Sequence, residues 1–308
     1  MPGRAAPPRK TREIHNHHID STVWNEFRFR DGDIVIASYA KSGTTWLQQI
    51  IAQLLFDGAE AVEVADISPW MDLRIPPKDI KLARVEAQTH RRFVKTHLPT
   101  DALRYSTRAK YIYIGRDGRD IIWSMYHHHC QANEAWYAGL NKTPGLVGPP
   151  IEKPPDSVKQ YYHDWLDRDG YPFWPFWENV RSWWEIRDLP NLKLLHFNHL
   201  KRDLPGAVRE IAGFLEIPVA VDSWARILAH CSFDYMKANA DKTVPFNGAL
   251  WRGGAQTFIH KGTNGRWRDL LDADEIAKYD RYAAAELSPE CAHWLATGET
   301  DDTTRRVK

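Results

Sequence analysis

Four short stretches of the chain carry side chains that do chemistry on anions and protons. Tyr39-Ala40-Lys41-Ser42-Gly43-Thr44-Thr45-Trp46 supplies an ammonium, three hydroxyls and a glycine. Such a glycine lets successive N–H groups curl towards one point, so the set makes a cradle for a tetrahedral anion. It is P-loop-like but not the nucleotide loop GxxxxGK[ST], because here the glycine follows the lysine and Ala37 and Ser38 stand ahead of it. Arg116, with Ser124 eight residues on, offers a second anion clamp from a guanidinium fork and a hydroxyl in the early turns of a helix. Arg116 with Asp117 and Asp120 reads equally well as an ion-paired turn. Lys95-Thr96-His97 brings an imidazole, the natural base for a hydroxyl proton near neutral pH. Isolated, such a histidine is more often structural. Phe258-Ile259-His260-Lys261-Gly262 is a basic turn able to close over a phosphate, a composition that ordinary solvated loops share.

These residues need elements to position them. Asp33 to Tyr39 is a short β-branched run directly before the Lys41 loop, and the residues after it repeat apolar side chains at i, i+4 from Trp46. That is strand, turn, helix. Arg92 to His97, stopped by Pro99, and Lys110 to Gly115, followed by a helical run from Ile121 to His129, read as two further strands, and Leu192 to Phe197 as a fourth. Strands alternating with helices predict a single α/β domain with a central parallel sheet flanked by helices, its ligand site at the carboxyl ends of the strands. Residues 131 to 171 hold five prolines, from Pro144 to Pro155, and little periodicity, so one long loop with at most one short helix is expected there. An aromatic helix from Phe173 to Arg187 and a second functional loop from Lys237 to Trp267 follow. Residues 1–20 read as a flexible arm, 21–299 as the domain and 300–308 as a polar tail.

Composition narrows the class. Over 308 residues, 41 Lys and Arg offset 40 Asp and Glu, which speaks against a diffuse basic surface for nucleic acid. Anion binding must be local. Three scattered cysteines, Cys130, Cys231 and Cys291, suggest neither a disulfide framework nor a metal site and fit a reducing cytoplasm. No run approaches the length of a membrane span, and no secretory leader is visible. The 14 tryptophans serve a core first and an aromatic-lined pocket second. His127, His128 and His129 point about 100° apart on a helix and so do not converge on one metal ion.

Taken together, YAKSGTTW, KTHLP at Lys95 to Pro99, the Arg116/Ser124 pair and KGxxGxW at Lys261 to Trp267 resemble the cytosolic sulfotransferases that use 3'-phosphoadenosine 5'-phosphosulfate (PAPS), over about Asp31 to Leu295. The resemblance implies sulfuryl transfer from PAPS to a hydroxyl of a small-molecule or lipid acceptor, without a metal. It implies that Lys41, Ser42, Gly43, Thr44, Thr45 and Trp46 hold the 5'-phosphosulfate. Arg116, Ser124, Lys261 and Gly262 would hold the 3'-phosphate, with Phe197, Cys231, Ser232 and Phe233 on the adenine side. His97 would be the base, with Lys41 and Lys95 stabilising the transferring group. The chain departs from the family pattern at His260, where Arg is usual, so that His260 or Arg252 would complete the clamp, and at Cys231 and Phe197, which replace a hydroxyl residue and a Tyr. The dimer motif many animal members carry after the last Trp is missing, which leaves the oligomeric state open. Trp136, Tyr137, Trp174 and Trp177 are the expected acceptor walls, suited to an aromatic or lipid alcohol. A P-loop kinase using ATP and Mg²⁺, or a non-catalytic binder of adenosine 3',5'-bisphosphate (PAP), are the competing readings.

Overall fold

In the computed structural model, which describes residues 6–60 and 62–300, the alternation of side chains along each strand sets the architecture. Strand β1 (Ile34–Ser38) pairs in parallel with β2 (Phe93–Thr96) on one side and β3 (Lys110–Gly115) on the other, and β3 pairs in parallel with β4 (Leu192–His196). The spatial order is β2-β1-β3-β4. Successive residues of a strand face opposite sides. Ile34 and Ile36 with Ile112 and Ile114 therefore build one aliphatic layer against the helices Thr44–Leu55 and Leu204–Leu215. Val35 and Ala37 with Tyr111 and Tyr113 build the other layer, against an aromatic mass that includes Trp165, Trp177 and Trp183. Both faces of β1 are fully buried, as its unbroken apolar run requires of a parallel strand. The register brings Ser38, Thr96, Gly115 and His196 to the same edge. A four-stranded parallel sheet with helices on both faces is the expected α/β fold.

Two regions differ from expectation. Residues 131 to 171 hold two helices, Glu134–Lys142 and Val158–Asp167, rather than a long loop. Each is started by a side-chain cap, Asn133 accepting from the N–H groups of Ala135 and Trp136, and Ser157 from that of Gln160. The aromatic helix begins later than expected, at Trp177, and ends at Glu185. The expected flexible arm is bound along much of its length. Thr11 N–H donates to the Asp101 carbonyl, Ile19 forms a bridge to Leu73, and His17 and His18 are buried. Residues 1–5 of that arm and 301–308 of the polar tail lie outside the described residues. Among the described residues, no helix is long and apolar enough to cross a membrane.

Candidate active site

The turn after β1 is held in a conformation that side chains avoid. Lys41 has φ +67° and Gly43 φ +104°, both left-handed, a cost of about 1 kcal/mol or more for the lysine. The Arg116 guanidinium supports the turn by donating Nη1–H to the Lys41 carbonyl at 3.0 Å. A side chain at Gly43 would collide with Phe197 and Ile114, so the glycine brings backbone close to the Phe197 ring. Thr44 opens the following helix, with its hydroxyl 2.7 Å from Ser38 Oγ. The Trp46 indole donates to the Cys231 carbonyl at 2.7 Å.

Lys41, Lys95 and Arg116 all line one cavity of about 380 Å³. Lys95 and Arg116 are buried and Lys41 is partly buried, and among the described residues none of the three is ion-paired to a carboxylate. Burial pushes the Lys41 ammonium down to about 7, with Arg116 and Lys95 adding to the shift. Lys95 is pushed down to about 8 by burial, against the pull of Asp72. Its Nζ donates to Gln48 Oε1 at 3.3 Å, while Lys41 Nζ lies 4.2 Å over the Phe258 ring. Buried cations without counter-charges are costly. The donor set fits a multiply charged anion such as the phosphosulfate end of PAPS. Thr44 and Thr45 share the wall. Ser42 is buried with its Oγ unpartnered and does not line the cavity.

His97 sits at the end of β2. Its Nδ1 is 2.8 Å from the Ser38 carbonyl, and a carbonyl only accepts, so Nδ1 carries the proton and Nε2 the lone pair. Burial pushes its pKa down to about 3, reinforced by Lys95 and Lys41. The imidazole is therefore neutral at working pH. Asp72, which the sequence gave no reason to single out, is fully buried. It accepts from the His97 backbone N–H at 3.1 Å and from the Trp70 indole at 2.6 Å, holding the chain at His97 and the Trp70 ring.

Arg116 also ties down the segment after Gly262. Its Nε and Nη2 donate to Asn264 Oδ1 at 3.0 and 2.7 Å, and Nη2 to the Thr263 carbonyl at 3.0 Å. Ser124, His260, Lys261, Gly262 and Phe233 line the same end of the cavity, as does Phe197, whose ring lies 4.3 Å from the Arg116 guanidinium carbon. His260 stacks on His127 at 3.6 Å, and burial with neighbouring His127, Arg266 and Lys261 pushes it to about 4. Three expected contacts are displaced. Arg252 does not line the cavity, whereas Arg266 does. The Cys231 side chain is buried in the aliphatic core layer, because Trp46 anchors to its backbone. Ser232 instead caps the helix Phe233–Ala238.

The rest of the cavity is aromatic, with walls from Trp70, Trp136, Phe173 and Trp174. Tyr137 and Trp177 do not reach it. Tyr137 is turned towards His129, and Trp177 packs on Phe176 and Tyr279. His127 to His129 fan apart as a helix demands, His128 packing on Trp251 and Phe258 and His129 on Phe173. Among the described residues no group of three or more His, Cys, Asp or Glu is placed to hold a metal ion.

Residues 31–289 match the Sulfotransferase domain family. A glycolipid sulfotransferase of Mycobacterium bovis (strain BCG / Pasteur 1173P2) is 28% identical over 302 residues, 91% of this chain and 92% of the relative. Sulfotransferase 1B1 of Mus musculus is 30% identical over 275 residues, 85% of each chain. In fold, the crystal structure of mouse sulfotransferase SULT7A1 complexed with PAP aligns at a TM-score of 0.68 and 22% identity, over 89% of this chain and 92% of that one. With the match spanning most of its length and Lys41, Lys95, His97 and Arg116 gathered on one aromatic-walled cavity, the chain belongs to the sulfotransferase family and is a PAPS-dependent sulfotransferase.

Proposed function

We propose that His97 is the general base, Lys41 and Lys95 the stabilisers of transferring charge, and Arg116, Ser124, Lys261 and Gly262, with Arg266, the holders of the 3'-phosphate. The observation that carries this reading is a neutral imidazole with a free Nε2 in the same cavity as three cations, two buried and one partly buried, that form no ion pair with a carboxylate among the described residues. PAPS, when bound, supplies the sulfuryl group and a leaving phosphate. His97 Nε2 takes the acceptor's hydroxyl proton, and Nδ1–H on the Ser38 carbonyl keeps the ring in the tautomer that can do so. Lys41 meets negative charge as it grows on the leaving oxygen, and Lys95 that on the sulfuryl oxygens, an arrangement already oriented by the strained turn and so needing little reorganisation. Apolar walls exclude water, which strengthens each of these contacts.

On the acceptor, the aromatic walls favour a molecule with a flat or ring-shaped apolar face, an aromatic or lipid alcohol, and the mycobacterial relative's name, glycolipid sulfotransferase, supports a lipid-linked hydroxyl. Three unpaired cysteines fit work in a reducing cytoplasm.

Incubation with labelled PAPS, hydroxyl acceptors and EDTA tests the reading, and His97→Ala sharpens it. The variant should lose turnover on the order of 10³-fold while PAP affinity stays within about threefold of wild type. Retained turnover would move the base elsewhere. Phosphoryl transfer from ATP and Mg²⁺ in its place would overturn the reaction class.

A further inference from the structure

His17 and His18 lie in the segment expected to be flexible, yet His18 is part of the acceptor wall. Nε2 of His17 is 2.8 Å from the Pro172 carbonyl oxygen. A carbonyl only accepts, so that nitrogen carries the proton, and a neutral imidazole then has its lone pair on Nδ1. Nδ1 of His17 faces Nδ1 of His18 at 2.5 Å. One of the two must donate, and it is His18. Its lone pair is therefore on Nε2. Both rings are kept neutral by burial first, with Arg74 also opposing a charge on each.

The group is rigid as well as defined. Arg74 N–H donates to the His18 carbonyl at 2.6 Å, and Asn16 Oδ1 accepts from the N–H groups of both His18 and Ile19 at 2.8 Å. The ring is wedged among Trp136, Phe173 and Trp174 at 5.3, 5.3 and 5.7 Å between centroids. Trp70 and Trp174 each contact both His18 and His97, so about one aromatic side chain separates the two imidazoles. The neighbouring Trp70 N–H is committed to Asp72, and that of Trp174 is shielded from the cavity. An immobile acceptor among apolar rings favours ligands that bring it a donor, because a buried polar group without a partner is costly.

We propose that His18 determines acceptor specificity, its Nε2 accepting a hydrogen bond from a second hydroxyl of the acceptor, so that the enzyme selects diols or polyols, such as a sugar ring, over monohydric alcohols. This rests on the acceptor cavity and base assigned above. His17 acts through His18, as a positioning residue that fixes its tautomer.

Matched acceptors test it. Octyl β-D-glucopyranoside and its monodeoxy analogues, estradiol and its 17-deoxy analogue, and 4-(hydroxymethyl)phenol and 4-methylphenol are compared by kcat/KM. In wild type, at least one pair should favour the molecule with the second hydroxyl by about tenfold, the worth of one well-made hydrogen bond. His18→Phe should reduce that preference below about twofold, while His18→Gln, which keeps an accepting oxygen, should retain part of it. No preference in any wild-type pair, or a preference that survives His18→Phe in a variant still binding PAP, overturns the proposal. ¹⁵N NMR of the unmutated protein gives an arm independent of variant folding: the Nδ1–H tautomer is expected for His18, and an Nε2–H tautomer rejects it. Sulfuryl transfer to none of the acceptors, with PAP bound, would instead reject the acceptor and base assignments, which keeps the two failures distinct.

Discussion

The two edges of the central sheet treat charge in opposite ways. At the amino edge, Arg92 and Asp33, with side chains 2% and 3% exposed, face each other at 2.5 Å, and Lys110 meets Glu216 at 2.7 Å. At the carboxyl edge Lys95 and Arg116 are buried and Lys41 partly buried on one cavity, with no carboxylate in ion-pair range among the described residues. The amino edge answers its buried cation, Arg92, and the partly buried Lys110 from within the chain, which serves folding. The other leaves the answer to a ligand, which serves binding and turns instability of the free site into affinity.

Substitutions at the two edges should therefore act with opposite sign. Asp33→Ala leaves the buried Arg92 guanidinium with only the exposed Glu86 as a carboxylate partner and should lower stability by about 3 kcal/mol, read from urea unfolding. Lys41→Met should raise the stability of PAP-free protein by about 1 kcal/mol, since it removes an unanswered buried charge, while cutting kcat by on the order of 10². Destabilisation by Lys41→Met would erase the contrast. Within the carboxyl edge, Arg266→Ala should weaken PAP about tenfold, the worth of a charge-assisted contact, and Arg252→Ala should stay within about twofold in the same titration. The smallest effect is a count of protons. Lys41 falls to about 7 in the protein alone, and a bound anion would raise it again. Above pH 7 the free protein then holds the neutral amine and the complex the ammonium, so binding takes up a proton and affinity falls as pH rises. Calorimetry at pH 8 in buffers of different ionisation heat should show uptake on the order of one proton, reduced in Lys41→Met, because phosphates with pKa near 6 are already ionised there. His260, at about 4, contributes little to this window.

The cationic half of the cavity was legible in the sequence, and the aromatic half only in part, since Trp136 and Trp174 line it as expected. Lys95 lies near the end of β2, and His97, Arg116 and Lys41 follow a strand within three residues, so local pattern alone carries them to the sheet edge. The acceptor wall is gathered from residues near 18, 70, 136 and 174, and which ring turns inward depends on packing among distant helices, so Tyr137 and Trp177 were misjudged. The helix Val158–Asp167 did leave a signal. Ser157-Val-Lys-Gln160 has the spacing of a capping box, and the neighbouring prolines masked it. Arg266 was hidden for another reason: motif reading looked for a replacement before His260, whereas the loop returns to the cavity after Gly265.

The Arg116 guanidinium joins the turn at Lys41, 75 residues earlier in the chain, to Thr263, 147 residues later. Such contacts form only after long loops close, which makes them late in folding. For a chain emerging from the ribosome in order, the sheet edge with Lys41 and Lys95 exists well before its last clamp has been synthesised. Competence to retain the nucleotide thus arrives at one moment, when residues 263 and 264 become free to reach Arg116. A nascent chain arrested before residue 263 should fail to retain PAP on a filter that holds the full-length protein's complex.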